Sequence, residues 1–432
     1  MATLWLLLFK QLMEMGDFER ALAAIIGNSD EDSRKNCLRH FLAHLVENDK
    51  ISVLTELHFG DVEAEAVQIL ESRARAYDCA ARPNYYEILF AFYTRKGNFR
   101  SASKIMYELA LRLCEQSNLS AENLRVRRDA LVASLESLKL AREGYRWLVK
   151  PAILTEDSMT EDVNISVSIV DVEDLTREYL MADAKLFLAT HPIAAEESEL
   201  EAIRISAITV SLSRRCAFER ALKLACAYGE SAVETFEYLT LKCVSCSDSK
   251  SDEESVWLAD ENDMAMGTGS NFGSDADRWW RLLQNWTEAL LEKERGNLHP
   301  NFTDSPVKIC RAVAVRLFGC GRQLPCWLSE LYKKIDFPNY LAVLYEYGDA
   351  TQAARELLAH LEQLYISGQL ESALSEGQRK ALCLPYTVID QLLSNAAKFA
   401  DVGAYKGVEE LRKRLGDYLN LLESAPIATA GR

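Results

Sequence analysis

Two thiols separated by two residues, as in Cys243-Val-Ser-Cys246, have the spacing of half a metal site. Structural zinc takes four Cys or His ligands, and neither a second Cys pair nor a His pair stands close by, so the pair reads as thiols near a helix end. Cys310, Cys320 and Cys326 gather around a Gly319-Cys-Gly321 turn, but the nearest histidine, His299, has no ligand-like spacing. The run Gly267-Thr-Gly-Ser-Asn-Phe-Gly273 looks superficially like a phosphate-cradling loop. It follows no strand, lacks the lysine of a P-loop and leads into Asp275 and Asp277, which would repel phosphate; a linker is the better reading. The six histidines form no HExxH pair, and no serine sits in a Gly-x-Ser-x-Gly elbow. Catalytic residues, cofactor-binding residues and metal ligands are therefore all expected to be none, with no cofactor and no small-molecule substrate.

Chemistry of recognition is the remaining possibility. The basic clusters Arg125-Val-Arg127-Arg128 and Arg412-Lys413-Arg414 fall on predicted helices among acidic neighbours and read as solvated faces. With 49 Lys+Arg against 65 Asp+Glu, the formal charge of -16 disfavours phosphate backbones and anionic lipid, so no direct nucleic acid contact is expected. Trp279, Trp280 and Trp286 with Leu282, Leu283 and Leu290 have the composition of a docking hot spot, but helical spacing favours core for Trp279, Leu283, Trp286 and Leu290. Eleven cysteines without regular pairing, several of them inside apolar helical patterns like Cys37, Cys226 and Cys310, point to a reducing compartment. The apolar start Ala2–Phe9 has no basic leader, and no run approaches the ~20 apolar residues that span a bilayer, so neither a signal peptide nor membrane insertion is expected. The sequons at Asn118, Asn164, Asn285 and Asn301 then read as chance matches. An opening in mid-pattern, without a helix cap, suggests a piece of something longer.

The elements that would position any recognition surface are announced by a recurring hinge. It reads Gly16-Asp-Phe-Glu-Arg-Ala21, Gly97-Asn-Phe-Arg-Ser-Ala102, Cys216-Ala-Phe-Glu-Arg-Ala221 and Gly348-Asp-Ala-Thr-Gln-Ala353. Glycine tolerates the left-handed backbone that closes one helix, and Asp or Asn caps the amides of the next. The residue after the cap and the alanine three positions on share one helix face, where the small side chain lets two helices approach. Stacked hairpins of this kind build a solenoid. The hinges recur at unequal intervals, which disfavours a regular 34-residue repeat.

The predicted fold is all-α, an irregular α-solenoid of stacked helical hairpins with one short extended segment near 163–170. Helical periodicity is almost continuous from Leu4 to Leu148, giving a first part at 1–150. A linker and extended segment occupies 151–172, where Val163, Ile165, Val167 and Ile169 alternate with polar residues. One strand makes no sheet, so it lies along helices, pairs with a short unrecognised segment or adds to a partner's edge. A middle helical part covers 173–246, with helices at Glu173–Leu188 and Glu197–Val244. Residues 247–277 hold nine acidic residues and one lysine and read as a disordered acidic loop. The C-terminal part, 278–432, has separate helices at Trp327–Lys334 and Tyr340–Tyr347, and ends on a stripe of Val408, Leu411, Leu415, Tyr418, Leu419 and Leu422.

Several strings resemble one family. Glu71-Ser-Arg-Ala-Arg75, Asn84-Tyr-Tyr86 with Leu89-Phe-Ala-Phe92, and Met106-Tyr-Glu108 after the second hinge are similar to the C-terminal helical region of the 160-kilodalton class of nucleoporins, counterparts of the fungal 120-kilodalton nucleoporin. So are Tyr145 and Trp147, Val172-Glu-Asp-Leu175, Leu324-Pro325 with Trp327-Leu328, Tyr332-Lys-Lys334 with Asp336, and Leu384-Pro-Tyr386 with Ile389-Asp-Gln-Leu-Leu393. The resemblance spans essentially the whole chain. It implies the solenoid part of a propeller-plus-solenoid scaffold in the Y-shaped complex of the nuclear pore outer ring. It also implies partners at the hub of the Y, the 85- and 96-kilodalton-class nucleoporins, and no enzymatic activity. The partner-binding candidates are Leu384, Pro385, Tyr386, Ile389, Leu411, Leu415, Tyr418 and Leu422, because a terminal solenoid helix has a neighbour on one side only. A vesicle-coat or trafficking adaptor built on similar hairpins is the alternative.

Overall fold

Apolar residues at three- and four-residue spacing make helices that must bury a stripe, and the computed structural model places those stripes against one another in consecutive hairpins. It describes residues 2–79, 82–115, 120–150, 168–191, 204–248, 275–292, 304–366, 384–395 and 402–424. Two compact units result, Met1–Ile203 and Arg204–Arg432. Among the described residues no helix is long and apolar enough to cross a membrane.

The first unit contains α1 (Ala2–Met15), α2 (Phe18–Ile26), α3 (Glu31–Glu47), α4 (Ile51–Glu56), α5 (Glu63–Ala76), α6 (Tyr85–Arg95), α7 (Phe99–Glu115), α8 (Ala121–Leu140) and α9 (Val172–Thr190). Each of α6 to α9 packs on its predecessor in the helix order, Phe41 on α3 is fully buried against Phe9 and Phe18, and Phe59, Tyr86, Phe92 and Tyr107 are fully buried too. The helical reading up to Leu148 is corrected at its end: α8 stops at Leu140, and Trp147–Val149 is a strand, β1. It pairs antiparallel with β2 (Ile169–Asp171), with Leu148 opposite Val170. This is the unrecognised partner that the extended segment needed; residues 163–167 of that segment lie outside the described residues. Leu148 and Val170 point into the core while Trp147, Val149 and Ile169 face outward, the alternation that a strand imposes. Arg100 stacks over the Trp147 ring, 3.9 Å from its centroid, and donates to the Trp147 carbonyl, tying the ribbon to α7.

The second unit contains α10 (Ile205–Arg214), α11 (Phe218–Tyr228), α12 (Val233–Asp248), α13 (Asp275–Glu292), α14 (Pro306–Gly319), α15 (Cys326–Tyr347), α16 (Ala350–Ile366), α17 (Tyr386–Asn395) and α18 (Val402–Ser424). Both ends of the expected acidic loop are helical: Ser247 and Asp248 close α12, and Asp275 to Asp277 open α13, where carboxylates favour a helix N-terminus. Residues 249–274 of that loop, and 197–203 of the expected helix before Val244, lie outside the described residues. The two helices expected on either side of Asp336 form one run with a break. Asp336 takes φ -154° and ψ 89°, and its Oδ1 accepts from the Asn339 amide at 3.0 Å, capping a second helix that carries Pro338 in its first turn.

Three hinges share one geometry. Gly16, Gly97 and Cys216 adopt φ of +74°, +71° and +60°, and in each the next amide reaches back five residues, as Asp17 does to the Leu12 carbonyl at 3.1 Å. Asp17 Oδ1 accepts from the Arg20 amide and Asn98 Oδ1 from the Ser101 amide, so the caps read from sequence are made. The fourth hinge corrects the sequence reading. Gly348 is not left-handed but has φ -103° and ψ -137°, and a Cβ there would lie 2.8 Å from the Leu344 carbonyl and 3.0 Å from the Phe318 ring. Crowding by a carbonyl of the helix it ends and by the Phe318 ring of α14, not backbone handedness, demands that glycine. Ala21, Ala102, Ala221 and Ala353 are all completely buried, which is what allows helices to meet at the hinges.

Candidate interaction surface

The C-terminal candidates sit on two helices with an apolar side each. Leu384 precedes α17, and Ile389 and Leu392 on it face α15; Leu411, Leu415 and Tyr418 on α18 face α16. Leu384, Ile389, Leu411, Leu415 and Tyr418 are thereby buried in one continuous core with Tyr332, Tyr340, Leu357 and Leu361. Packing within the unit, not a missing partner, covers that face. Pro385 is half-buried, Tyr386 is 46% exposed, and the Leu422 side chain lies outside the described residues. Leu419, on the same helix but off the buried stripe, is 45% exposed and was not among the sequence candidates. This corrects the sequence reading, which placed Leu419 on the apolar stripe: the buried side is carried by Leu411, Leu415 and Tyr418, and Leu419 lies at its edge.

The tryptophans divide only in part as their spacing suggests, since Trp286 is half-buried like Trp280, and Leu282, outside the expected core set, is fully buried. Trp279 and Leu283 are fully buried, Trp286 is half-buried, and the Leu290 side chain lies outside the described residues. Trp280 is half-buried and its Nε1 donates to Ser247 Oγ at 3.0 Å. Cys243 is fully buried and Cys246 half-buried on α12, thiols on a helix, and burial pushes the Cys243 thiol well up. Cys310 is buried on α14, with its thiol pushed up to about 12. Of the basic clusters, Arg412 and Lys413 are exposed, whereas Arg127 and Arg128 are half-buried, which corrects the solvated-face reading for α8.

A cleft of about 540 Å³ lies between the first half of α15, up to Phe337 just past its break, and α16, lined by Glu330, Lys333, Phe337, Glu356, His360 and Gln363. Lys333 Nζ meets Glu356 at 2.6 Å, and the Phe337 and His360 rings stack 3.8 Å apart. Burial, and then the Lys333 charge, hold His360 below its ordinary value. The folded state thus favours neutral imidazole, so this contribution to stability is complete above an unfolded value of about 6.5 and is lost as pH falls below it. Thermal melting between about pH 7.5 and 5.5 should show a decline that His360→Phe, which preserves the stack, reduces; an unchanged slope would remove His360 as its source.

Three of the strings that carry the family resemblance, at Glu71–Arg75, Asn84–Tyr86 and Met106–Glu108, meet in one internal network. Arg75 on α5 donates to Glu108 on α7 through Nε at 2.7 Å and Nη2 at 3.0 Å. The Tyr86 hydroxyl on α6 donates to the same carboxylate at 3.3 Å. Arg112 donates to the Tyr86 oxygen at 3.0 Å and to the Ala74 carbonyl at 2.8 Å, and the Tyr93 hydroxyl donates to Glu71 at 3.2 Å. Asn84 Oδ1 caps α6 by accepting from the Tyr86 amide. These groups hold three helices in register.

Comparison with known proteins places these features in context. Residues 1–140 match the family model described as NUP160/120 middle TPR, and residues 171–427 match Nup160 C-terminal TPR. The chain is 28% identical to nuclear pore complex protein Nup160 of Mus musculus over 91% of its own length and 28% of that protein. It is 27% identical to nuclear pore complex protein Nup160 of Homo sapiens over 98% of the chain and 30% of that protein. Against the Nup160 homolog of Drosophila melanogaster the identity is 29% over 90% of the chain and 27% of the homolog. The chain therefore spans less than a third of the length of these curated relatives. The repeat class named by both family models is a helical hairpin, and hairpins are what both units contain; their helices nevertheless range from 6 to 23 residues, so no fixed period is kept.

Proposed function

The chain belongs to the Nup160/Nup120 family of nucleoporins, and on that premise we propose that it is a scaffold segment of the outer ring of the nuclear pore complex, at the nuclear envelope. It supports transport of protein and mRNA by holding architecture in place, without turnover. The observation that carries this reading is the order of the two family matches, middle then C-terminal, along the chain. Stacked hairpins suit the task, since each buries its neighbour's apolar face and leaves a long surface for other proteins.

The partners we assign are the 85- and 96-kilodalton-class nucleoporins at the hub of the Y, contacted through the α17 and α18 end of the second unit. Because Leu411, Leu415 and Tyr418 belong to the unit's own core, the contact falls to the exposed side chains Tyr386 and Leu419. Deleting residues 378–432 would strip part of that core, so a surface variant is the sharper test. Tyr386→Glu with Leu419→Glu is expected to abolish co-purification of the hub nucleoporins while leaving thermal melting unchanged. Retained capture by the folded double variant would refute the hub assignment, and recovery of coat subunits in place of nucleoporins would refute the scaffold reading itself.

A further inference from the structure

An antiparallel ribbon packed on a core normally shows water a polar face, but the ribbon of β1 and β2 is apolar on both sides. Leu148 and Val170 fill the core side. On the outward side Val149 stands directly opposite Ile169, 42% and 61% exposed, and Trp147, two residues before Val149, shares that side. The edges also keep free peptide groups. The Lys150 amide donates to the Ser168 carbonyl at 2.8 Å, so 150 and 168 are a bonded pair, 149 and 169 an unbonded one, and the peptide groups of Val149 and Ile169 point away from the ribbon. Charge near this face has the sign opposite to that of the whole chain, whose formal charge is -16. Residues 139–150 carry Lys139, Arg142, Arg146 and Lys150 against the single acid Glu143. Lys139 is engaged by Glu136 at 2.8 Å, and Arg146 Nε donates to the Ala141 carbonyl at 3.0 Å. Arg142, in the turn before β1, and Lys150, just after it, are exposed and pair with no carboxylate among the described residues. Asp171, opposite Trp147, is committed to capping α9 through the Asp174 amide at 2.9 Å.

We propose that this outward face binds a short extended segment of a partner protein, with apolar side chains at its centre and acidic ones at both ends. The apolar centre covers Val149, Ile169 and Trp147 and takes from water the area that the free ribbon exposes. Its acids meet Arg142 and Lys150, the cations that precede and follow β1. An extended backbone suits the free peptide groups of the ribbon edges. Trp147 is already fixed by Arg100, which stacks on its ring and donates to its carbonyl, so little side-chain freedom remains to be lost on binding. An anionic membrane fits less well, because the net charge of the chain repels an extended negative surface while a short segment meets only the local field. The site belongs to the first unit and is independent of the hub contact assigned to α17 and α18.

The test uses the full chain and a fluorescein-labelled peptide in which Val-Phe-Val is flanked by glutamates on both sides, followed by anisotropy at about 50 and 300 mM salt. Wild type should bind it, and less tightly at the higher salt. Arg142→Glu with Lys150→Glu turns two attractions into repulsions and should weaken binding by about tenfold or more. Val149→Thr with Ile169→Thr keeps the strand preference but loses apolar contact, and should weaken it by a similar factor. Arg412→Glu with Lys413→Glu, on α18, changes the net charge equally and should leave binding intact. All these side chains are exposed, so each variant should melt like wild type. No binding by wild type, or equal binding by wild type and either ribbon variant, would overturn the site; so would an equal loss in the α18 variant, which would make the attraction general. Co-sedimentation of wild type, but not of the ribbon variants, with phosphatidylserine vesicles, together with no peptide binding, would refute a peptide site in favour of a membrane contact.

Discussion

Arg75→Ala is expected to destabilise the first unit by about 3 kcal/mol, more than Glu108→Ala does, although the two residues share one ion pair. The asymmetry follows from where each partner sits. Glu108 is 6% exposed on α7, while half of the Arg75 side chain is open to water. Without Arg75 the carboxylate stays buried with only the Tyr86 hydroxyl to solvate it, and removing one partner of a buried pair typically costs about 3–5 kcal/mol. The lower end applies because water reaches the vacated side. Without Glu108 the guanidinium simply turns outward, and the loss is about 1–2 kcal/mol, that of hydrogen bonds alone. Hydrogen exchange over α5 to α7, with urea unfolding of the full chain, measures both variants. Equal losses would mean that Glu108 is solvated in solution and that the network does not lock the three helices.

That network also marks what a sequence can and cannot convey. Glu71, Arg75, Tyr86 and Glu108 are legible as strings of a family, but an ion pair between residues 33 apart depends on how α5 and α7 pack, which no local pattern encodes. The alanines of the hinges were legible because a helix crossing leaves no other choice of size. Cys216 in a left-handed conformation and Gly348 in a different one show that the motif fixes the crossing more firmly than the backbone angle. The strand Trp147–Val149 escaped because three residues are too few for a period of two to emerge from the helix before it. The stripe on α18 was read correctly as apolar, yet periodicity names no neighbour, and α16 turned out to cover it. For the same reason Arg127 looked like part of a solvated face: periodicity does not show that the packing of neighbouring helices on α8 leaves it half-buried.

Trp279→Ala carries the largest expected loss, about 3–5 kcal/mol, and it separates the two roles open to the α13 tryptophans. Trp279 is completely buried, and its ring meets Phe218 edge-on, with centroids 5.6 Å apart and planes at 87°. Phe218 is the first residue of α11, directly after the third hinge, so the indole is wedged against the point where that hairpin closes. Removing it takes away both its own transfer free energy and the contacts of the atoms that lined it, and close-packed neighbours collapse only partly into the gap. Trp279→Phe keeps one ring for Phe218 to pack against and should lose less. Trp280→Ala is the internal control: that ring is half-buried, its Nε1 bond to Ser247 is exposed, and its loss should be about 1 kcal/mol. Near-ultraviolet circular dichroism and thermal melting follow the core, and capture of nucleoporins follows docking. A Trp279→Ala protein that melted like wild type but lost its partners would make this face an interaction hot spot and would remove it from the core of the second unit.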